Sequence, residues 1–262
     1  MADRVTIEVQ GGVADVRLNR PEKLNALDSA MFTALIDAGV RLASDRSLRA
    51  VVLRGEGRGF CAGLDFMSFM GESPGTLLTK EASSPANRAQ RAAWVWQEVP
   101  VPVIAAIHGV AFGGGLQIAL GADVRYATPD AQLSIMEIKW GLVPDMSGTQ
   151  TLRHLVRLDV AKELAWSGRI VQGTEARELG LVTRVIKTPK EAALAMAHEI
   201  AKKSPHAVRA TKKLLNAAGV VSVAEGLELE EELQRGLLGS PNQMEAVLAN
   251  FEKREPKFRD PE

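Results

Sequence analysis

His108-Gly109-Val110-Ala111-Phe112-Gly113-Gly114-Gly115-Leu116-Gln117 is the stretch on which the reading of this chain turns. The apolar run Val101 to Ile107 before it reads as a buried strand. The Leu-, Ile- and Ala-rich segment Leu116 to Leu120 after it reads as a helix. Glycines between them remove Cβ atoms and let a ligand approach the backbone. The first turn of the helix then offers unpaired N–H groups and the positive end of a dipole, a setting for an oxyanion or a phosphate. The plainer alternative is a tight strand-to-helix crossover in which glycine relieves crowding.

Outward from this stretch, strands are expected at Val5 to Val9, Ala14 to Leu18, Ala50 to Leu53 and Ala122 to Tyr126. Gly11-Gly12 joins the first two as a hairpin, and a helix is expected from Ser29 to Ala43 with Asp28 as its N-cap. This alternation argues for an α/β domain. The last third changes character: Glu191 to Lys203, His206 to Ala217, Val223 to Leu237 and Pro241 to Lys253 all read as helices. Ser240-Pro241-Asn242-Gln243 supplies a capping box with proline at the first helical position. We expect an α/β domain over 1–205 and a helical region over 206–262. Residues 67–95, broken by Gly71, Pro74, Gly75, Ser83, Ser84 and Pro85, read as a long flap near a ligand site.

Composition narrows the classes of function. Lys plus Arg total 32, equal to Asp plus Glu, so no excess of positive charge points to nucleic acid or a polybasic membrane patch. The single cysteine, Cys61, excludes an internal disulfide and argues against a cysteine-built metal site. His154, His198 and His206 lack metal-ligand spacing, and His108 reads as structural. No metal or separate cofactor is expected. The N-terminus enters a strand pattern at once, and no apolar run is long enough to span a bilayer, so a cytoplasmic protein is expected.

A second glycine-containing turn, Gly57-Arg58-Gly59-Phe60-Cys61-Ala62-Gly63-Leu64-Asp65, follows the strand ending near Leu53. Two such turns can hold one oxygen between their N–H groups, the construction of an oxyanion hole. Neither turn carries the Gly-x-Gly-x-x-Gly dinucleotide fingerprint or the Gly-Lys-Ser/Thr ending of a P-loop.

Taken together, several blocks resemble the crotonase (enoyl-CoA hydratase/isomerase) family. They are Arg20-Pro21-Glu22-Lys23-Leu24-Asn25-Ala26-Leu27, Phe60 to Asp65, His108 to Gly115, Glu137-Ile-Lys-Trp-Gly-Leu-Val-Pro144, Gly148-Thr149-Gln150 and Phe251-Glu252-Lys253-Arg254. The resemblance implies a spiral of ββα units followed by a helical trimerisation region, a homotrimer or dimer of trimers, and an acyl-CoA thioester as substrate, with coenzyme A carried as part of it. It implies the backbone N–H groups of Leu64 and Gly114 as oxyanion donors. Lys23, Leu24, Ala26, Ala62, Asp65, Gln117 and Lys253 would contact the substrate, Lys253 at the CoA phosphates, from its own or an adjacent subunit.

The proton carriers are where the chain departs from the family's hydratases. Those enzymes place one glutamate two residues after the triple glycine and another in the Glu137 block; here the first is Gln117. Glutamine can hold a water or a carbonyl but cannot exchange a proton at neutral pH. Asp145 follows Pro144 where hydratases carry glycine, and dienoyl-CoA isomerases of the family have an aspartate there. Glu137 with Asp145 would therefore serve as an acid–base pair for double-bond isomerisation. The alternatives are trans-2-enoyl-CoA hydration, acyl-CoA binding without turnover, and, for Asp145 alone, a turn or helix-capping role near Ser147.

Overall fold

The computed structural model describes residues 3–70, 74–80 and 84–261. The expected hairpin is β1 (Val5–Gln10) and β2 (Val13–Leu18), antiparallel, with Gly11 and Gly12 both at positive φ in the turn. Such two-residue turns match the twist of paired strands. Asp28 caps α1 (Ser29–Ser44) by accepting from the Met31 N–H at 2.8 Å. After α1, the chain lays down β3 (Ala50–Gly55), α2 (Arg88–Glu98), β4 (Val103–Ile107) and β5 (Val110–Phe112). The next turn is α3 (Gly114–Leu120), β6 (Val124–Ala127) and β7 (Gln132–Ser134). Then follow α4 (Gly148–Leu152), α5 (Leu158–Ser167), β8 (Val171–Gln172), α6 (Gly173–Leu179) and β9 (Arg184–Val185). Four helices complete the described chain: α7 (Pro189–Ala201), α8 (Pro205–Ala217), α9 (Val223–Leu237) and α10 (Pro241–Glu252).

Successive turns feed strands to two sheets. The larger runs β1-β2-β3-β4-β6-β9, parallel from β2 onward, and the smaller runs β5-β7-β8. The central strands β3 and β4 carry the apolar runs Ala50 to Leu53 and Val103 to Ile107 because both faces of the larger sheet are covered there. Val51 and Leu53 face the main core with α1, α2 and α3, while Ala50, Val52, Ile104 and Tyr126 pack with α7. That two-sided burial is why these strands read as continuous apolar runs rather than alternating ones.

Several expectations need adjustment. The segment 67–95 is not one long flap: residues 88–95 belong to α2, whose N-cap Asn87 forms a reciprocal capping box with Gln90. Ala89, Ala92, Ala93, Val95 and Trp96 bury its inner face. The breakers before it masked this start signal. Gly71 and Ser83 lie outside the described residues, and Pro74–Leu78 forms a short 3-10 turn. At α10, Ser240 caps Gln243, but the Gln243 side chain accepts from the Gly239 N–H, so the expected box is one residue out of register. Four short strands, β5 and β7 to β9, were not anticipated.

Ala193 and Ala197 let α7 lie close on the sheet, both fully buried. Ala193→Leu is expected to overpack this contact and cost about 1–3 kcal/mol in urea unfolding.

Candidate active site

The quoted glycine stretch begins with a strand. Cys61 pairs with Ala111 as a parallel bridge: Cys61 N–H donates to Val110 O and Phe112 N–H donates to Cys61 O, both at 3.0 Å. This clamps the loop after β3 alongside β5. On its other side the same loop meets the turn before α1. Ala62 N–H donates to Leu24 O, Leu27 N–H to Gly63 O and Asp65 N–H to Leu27 O. Backbone groups of successive extended residues point to opposite sides, so with Gly63 O and Asp65 N–H spent on Leu27, the Leu64 N–H faces away from it.

Gly113 then turns the chain from β5 into α3 at φ 51°, ψ −121°, a conformation disfavoured for any residue with a Cβ. Its own N–H donates to Ser134 O. Gly114, first residue of α3, therefore has no helical acceptor for its N–H. Gly63, at φ 87°, sits so close that a Cβ would lie 2.7 Å from Phe112 O and 3.8 Å from Gly114 N. Among the described residues neither the Leu64 nor the Gly114 N–H has a hydrogen-bond partner. Two unpaired main-chain donors on adjoining turns are the groups that binding of an oxyanion requires.

Asn25, fully buried, fastens the turn before α1 to the loop after β3. Its amide nitrogen lies 2.9 Å from Glu56 O and Gly59 O and 3.2 Å from Phe60 O, and its oxygen accepts from Arg20 N–H at 2.8 Å. Leu24 and Asn25 both take left-handed φ to allow this. Asn25 was not singled out as a site residue; its left-handed turn is the signal that a sequence reading lacks. The Asp65 carboxylate is engaged by Arg20 at 2.8 Å. Ala26 is buried and Lys23 exposed on the same turn. Lys253 caps α10 at left-handed φ and is exposed; among the described residues no ion pair joins it to these loops.

Glu137 opens a 3-10 turn, Glu137–Trp140, after β7, and is 8% exposed. Its Oε1 accepts from Gln117 Nε2 at 2.6 Å, while Oε2 is buried without a partner. No cation pairs with it among the described residues, which removes the salt-bridge explanation of its burial. Desolvation raises its pKa, opposed by its own backbone N–H and by the Gln117 hydrogen bond and reinforced by the Asp145 charge. Asp145 is an exposed residue after Pro144, but its carboxyl is recessed enough that lost solvation raises its pKa as well. No side chain caps α4, so Asp145 is not spent there. Phe66 and Trp140 meet with ring centroids 4.4 Å apart and planes tilted by 38°, linking the Leu64 loop to the Glu137 turn. His108 Nε2 lies 2.9 Å from Gly57 O, on the framework. Among the described residues no cluster of His, Cys, Asp and Glu is arranged to hold a metal ion.

A family model described as enoyl-CoA hydratase/isomerase matches residues 8–261. The chain belongs to the enoyl-CoA hydratase/isomerase, or crotonase, family. It is similar to a probable enoyl-CoA hydratase of Bacillus subtilis, 34% identical, over 97% of this chain and 98% of that protein. A mitochondrial methylglutaconyl-CoA hydratase of Mus musculus is 32% identical over 96% of this chain and 81% of its own length. Among solved structures, an enoyl-CoA hydratase from Bacillus anthracis superposes with a TM-score of 0.90 at 31% identity, covering 97% of this chain and 98% of that one. The fold is that of the crotonases, and the chain is an acyl-CoA enzyme of this family.

Two predictions follow from this geometry. Asn25→Ala leaves buried carbonyls unpaired and is expected to cost roughly 2–4 kcal/mol in urea unfolding. For Glu137, the raised folded pKa means the native state holds its proton more tightly than the unfolded chain. The resulting penalty is absent at pH values below the unfolded carboxylate's and grows as pH rises through the folded value. Glu137→Gln should therefore raise the thermal midpoint at neutral pH and lose that gain near pH ~4, the range of an unperturbed glutamate.

Proposed function

We propose that this enzyme moves a double bond within an enoyl- or dienoyl-CoA. The thioester oxygen lies between the N–H groups of Leu64 and Gly114, each worth ~3–4 kcal/mol to the enolate by analogy with other oxyanion donors. Glu137 Oε2 takes a proton from the α carbon of a β,γ-enoyl chain. The C–H electron pair passes into a dienolate whose charge rests on the thioester oxygen. The same proton, or one exchanged through Asp145, is delivered to the γ carbon, and the thioester carbonyl re-forms as the double bond settles between α and β.

The observation that carries this reading is the commitment of Gln117. Its oxygen and nitrogen are both bonded to protein, and an amide has no proton to exchange at neutral pH. One carboxylate with a free oxygen suits a proton moved from carbon to carbon better than a water held between two carboxylates.

Hydration of a trans-2-enoyl-CoA is the second reading, favoured by the hydratase names of the relatives and structures above. Lys23, Leu24, Ala26, Ala62, Asp65 and Gln117 are proposed to line the substrate channel, Gln117 as part of its wall. A trimer or dimer of trimers would bring Lys253 of a neighbouring copy to the CoA phosphates. The exposed apolar side chains Val223, Leu227, Leu238 and Phe251 support such burial between copies.

In deuterated water, a trans-3-enoyl-CoA is expected to become the trans-2 isomer with deuterium at the γ carbon. Glu137→Gln should slow this by ~10²–10⁴-fold. Brisk hydration of crotonyl-CoA, abolished in Glu137→Gln, with no isomerisation would overturn the proposal in favour of hydration. Tight acyl-CoA binding with no exchange into the acyl chain would instead make the protein a binder.

A further inference from the structure

Gln117 is 2% exposed on α3, and its amide reaches two loops at once. Its Oε1 accepts from Met146 N–H at 2.8 Å and Gly148 N–H at 2.9 Å; its Nε2 donates to Glu137 Oε1. Between those two N–H groups stands Ser147 at φ 64°, a left-handed conformation unusual for a residue other than glycine. A left-handed residue inside such a turn swings neighbouring N–H groups to a common point, a nest built for an oxygen. The neighbouring Gly148 is where the nest closes: a Cβ there would sit 2.6 Å from Gln117 Oε1.

These contacts fix the amide's orientation. Its oxygen must face the two N–H donors, so its nitrogen must face Glu137. Glu137 is thereby held by one oxygen, and Oε2 is left buried and unbonded. The same amide ties Glu137 to the loop that carries Asp145. We propose that Gln117 is a positioning residue: it presents Oε2 of Glu137 to the substrate and locks the Asp145 loop to that carboxylate. This deepens the acid–base reading above and rests on it for the chemistry, though not for the clamp itself.

The alternatives at position 117 separate the roles. A leucine would leave the nest empty and Glu137 unheld. A glutamate would keep both nest bonds but set a carboxylate oxygen against Glu137 Oε1, a contact that needs a shared proton. The charged groups to consider are few: Asp145 is the one described residue whose charge adds to the burial of Glu137, and the Gln117 bond opposes both.

The test uses the full-length enzyme as wild type, Gln117→Leu and Gln117→Glu. Titration of the Glu137 side-chain carbon by ¹³C NMR, assigned by its loss in Glu137→Gln, reads the clamp without turnover. The Glu137 signal should titrate at higher pH in Gln117→Leu and higher still in Gln117→Glu. With a trans-3-enoyl-CoA, kcat of Gln117→Leu should fall ~10²-fold, as misplaced catalytic groups do, while KM changes little. The kcat–pH profile should move in step with the NMR titration. An unmoved Glu137 titration, or a raised KM with kcat kept, would overturn the proposal and leave Gln117 as channel wall alone. If Gln117→Leu does not fold, Gln117→Glu keeps the nest bonds and decides by the same two readouts. If no enoyl-CoA turns over, the isomerase reading fails, while the NMR titration still tests the clamp.

Discussion

The parallel bridge between Cys61 and Ala111 is the contact on which the rest of the site depends. It joins the loop after β3 to the three-residue strand β5 at the point where both chains leave regular structure. Without it, each glycine turn would be a separate surface feature. With it, the Gly63-Leu64 segment lies beside the Gly113-Gly114 turn, at a spacing that a Cβ on Gly63 would close. Asn25 reinforces the bridge from behind, and the Arg20–Asp65 pair anchors the next residue along. Both unpaired N–H groups thus sit on main chain that is held like a strand or opens a helix.

The second constraint is electrostatic. Glu137 is buried with no cation beside it among the described residues, and its surroundings pull in opposite directions: solvent loss and Asp145 favour the protonated acid, its own backbone N–H and Gln117 the carboxylate. A carboxyl balanced in this way is destabilising to the fold and suited to proton transfer. The strain at Ser147 belongs to the same construction, since a left-handed residue there turns the N–H groups that orient Gln117.

Much of the fold was legible in the sequence. The hairpin at Gly11-Gly12, the Asp28 cap and the apolar runs of β3 and β4 are local signals read by local rules. The short strands were missed because their cause is not local. β5 and β7 to β9 have two or three residues each and exist because a neighbouring strand pairs with them. α2 was hidden by the Pro and Ser residues ahead of its Asn87 cap. At the site, the glycine turns were legible as local signals, while Glu137 and Gln117 were found through blocks resembling a family. The bond joining Gln117 to Glu137 across 20 residues was not, nor was the staple formed by Asn25. Positive φ at Leu24, Asn25 and Ser147 carries both arrangements, and of the three residue types only asparagine favours it.

A crystal structure with a bound, unreacted acyl-CoA analogue addresses the central claim most directly. The account predicts the thioester oxygen about 3 Å from both the Leu64 and the Gly114 nitrogen. An oxygen bonded to neither, with the acyl chain seated away from Glu137, would contradict it.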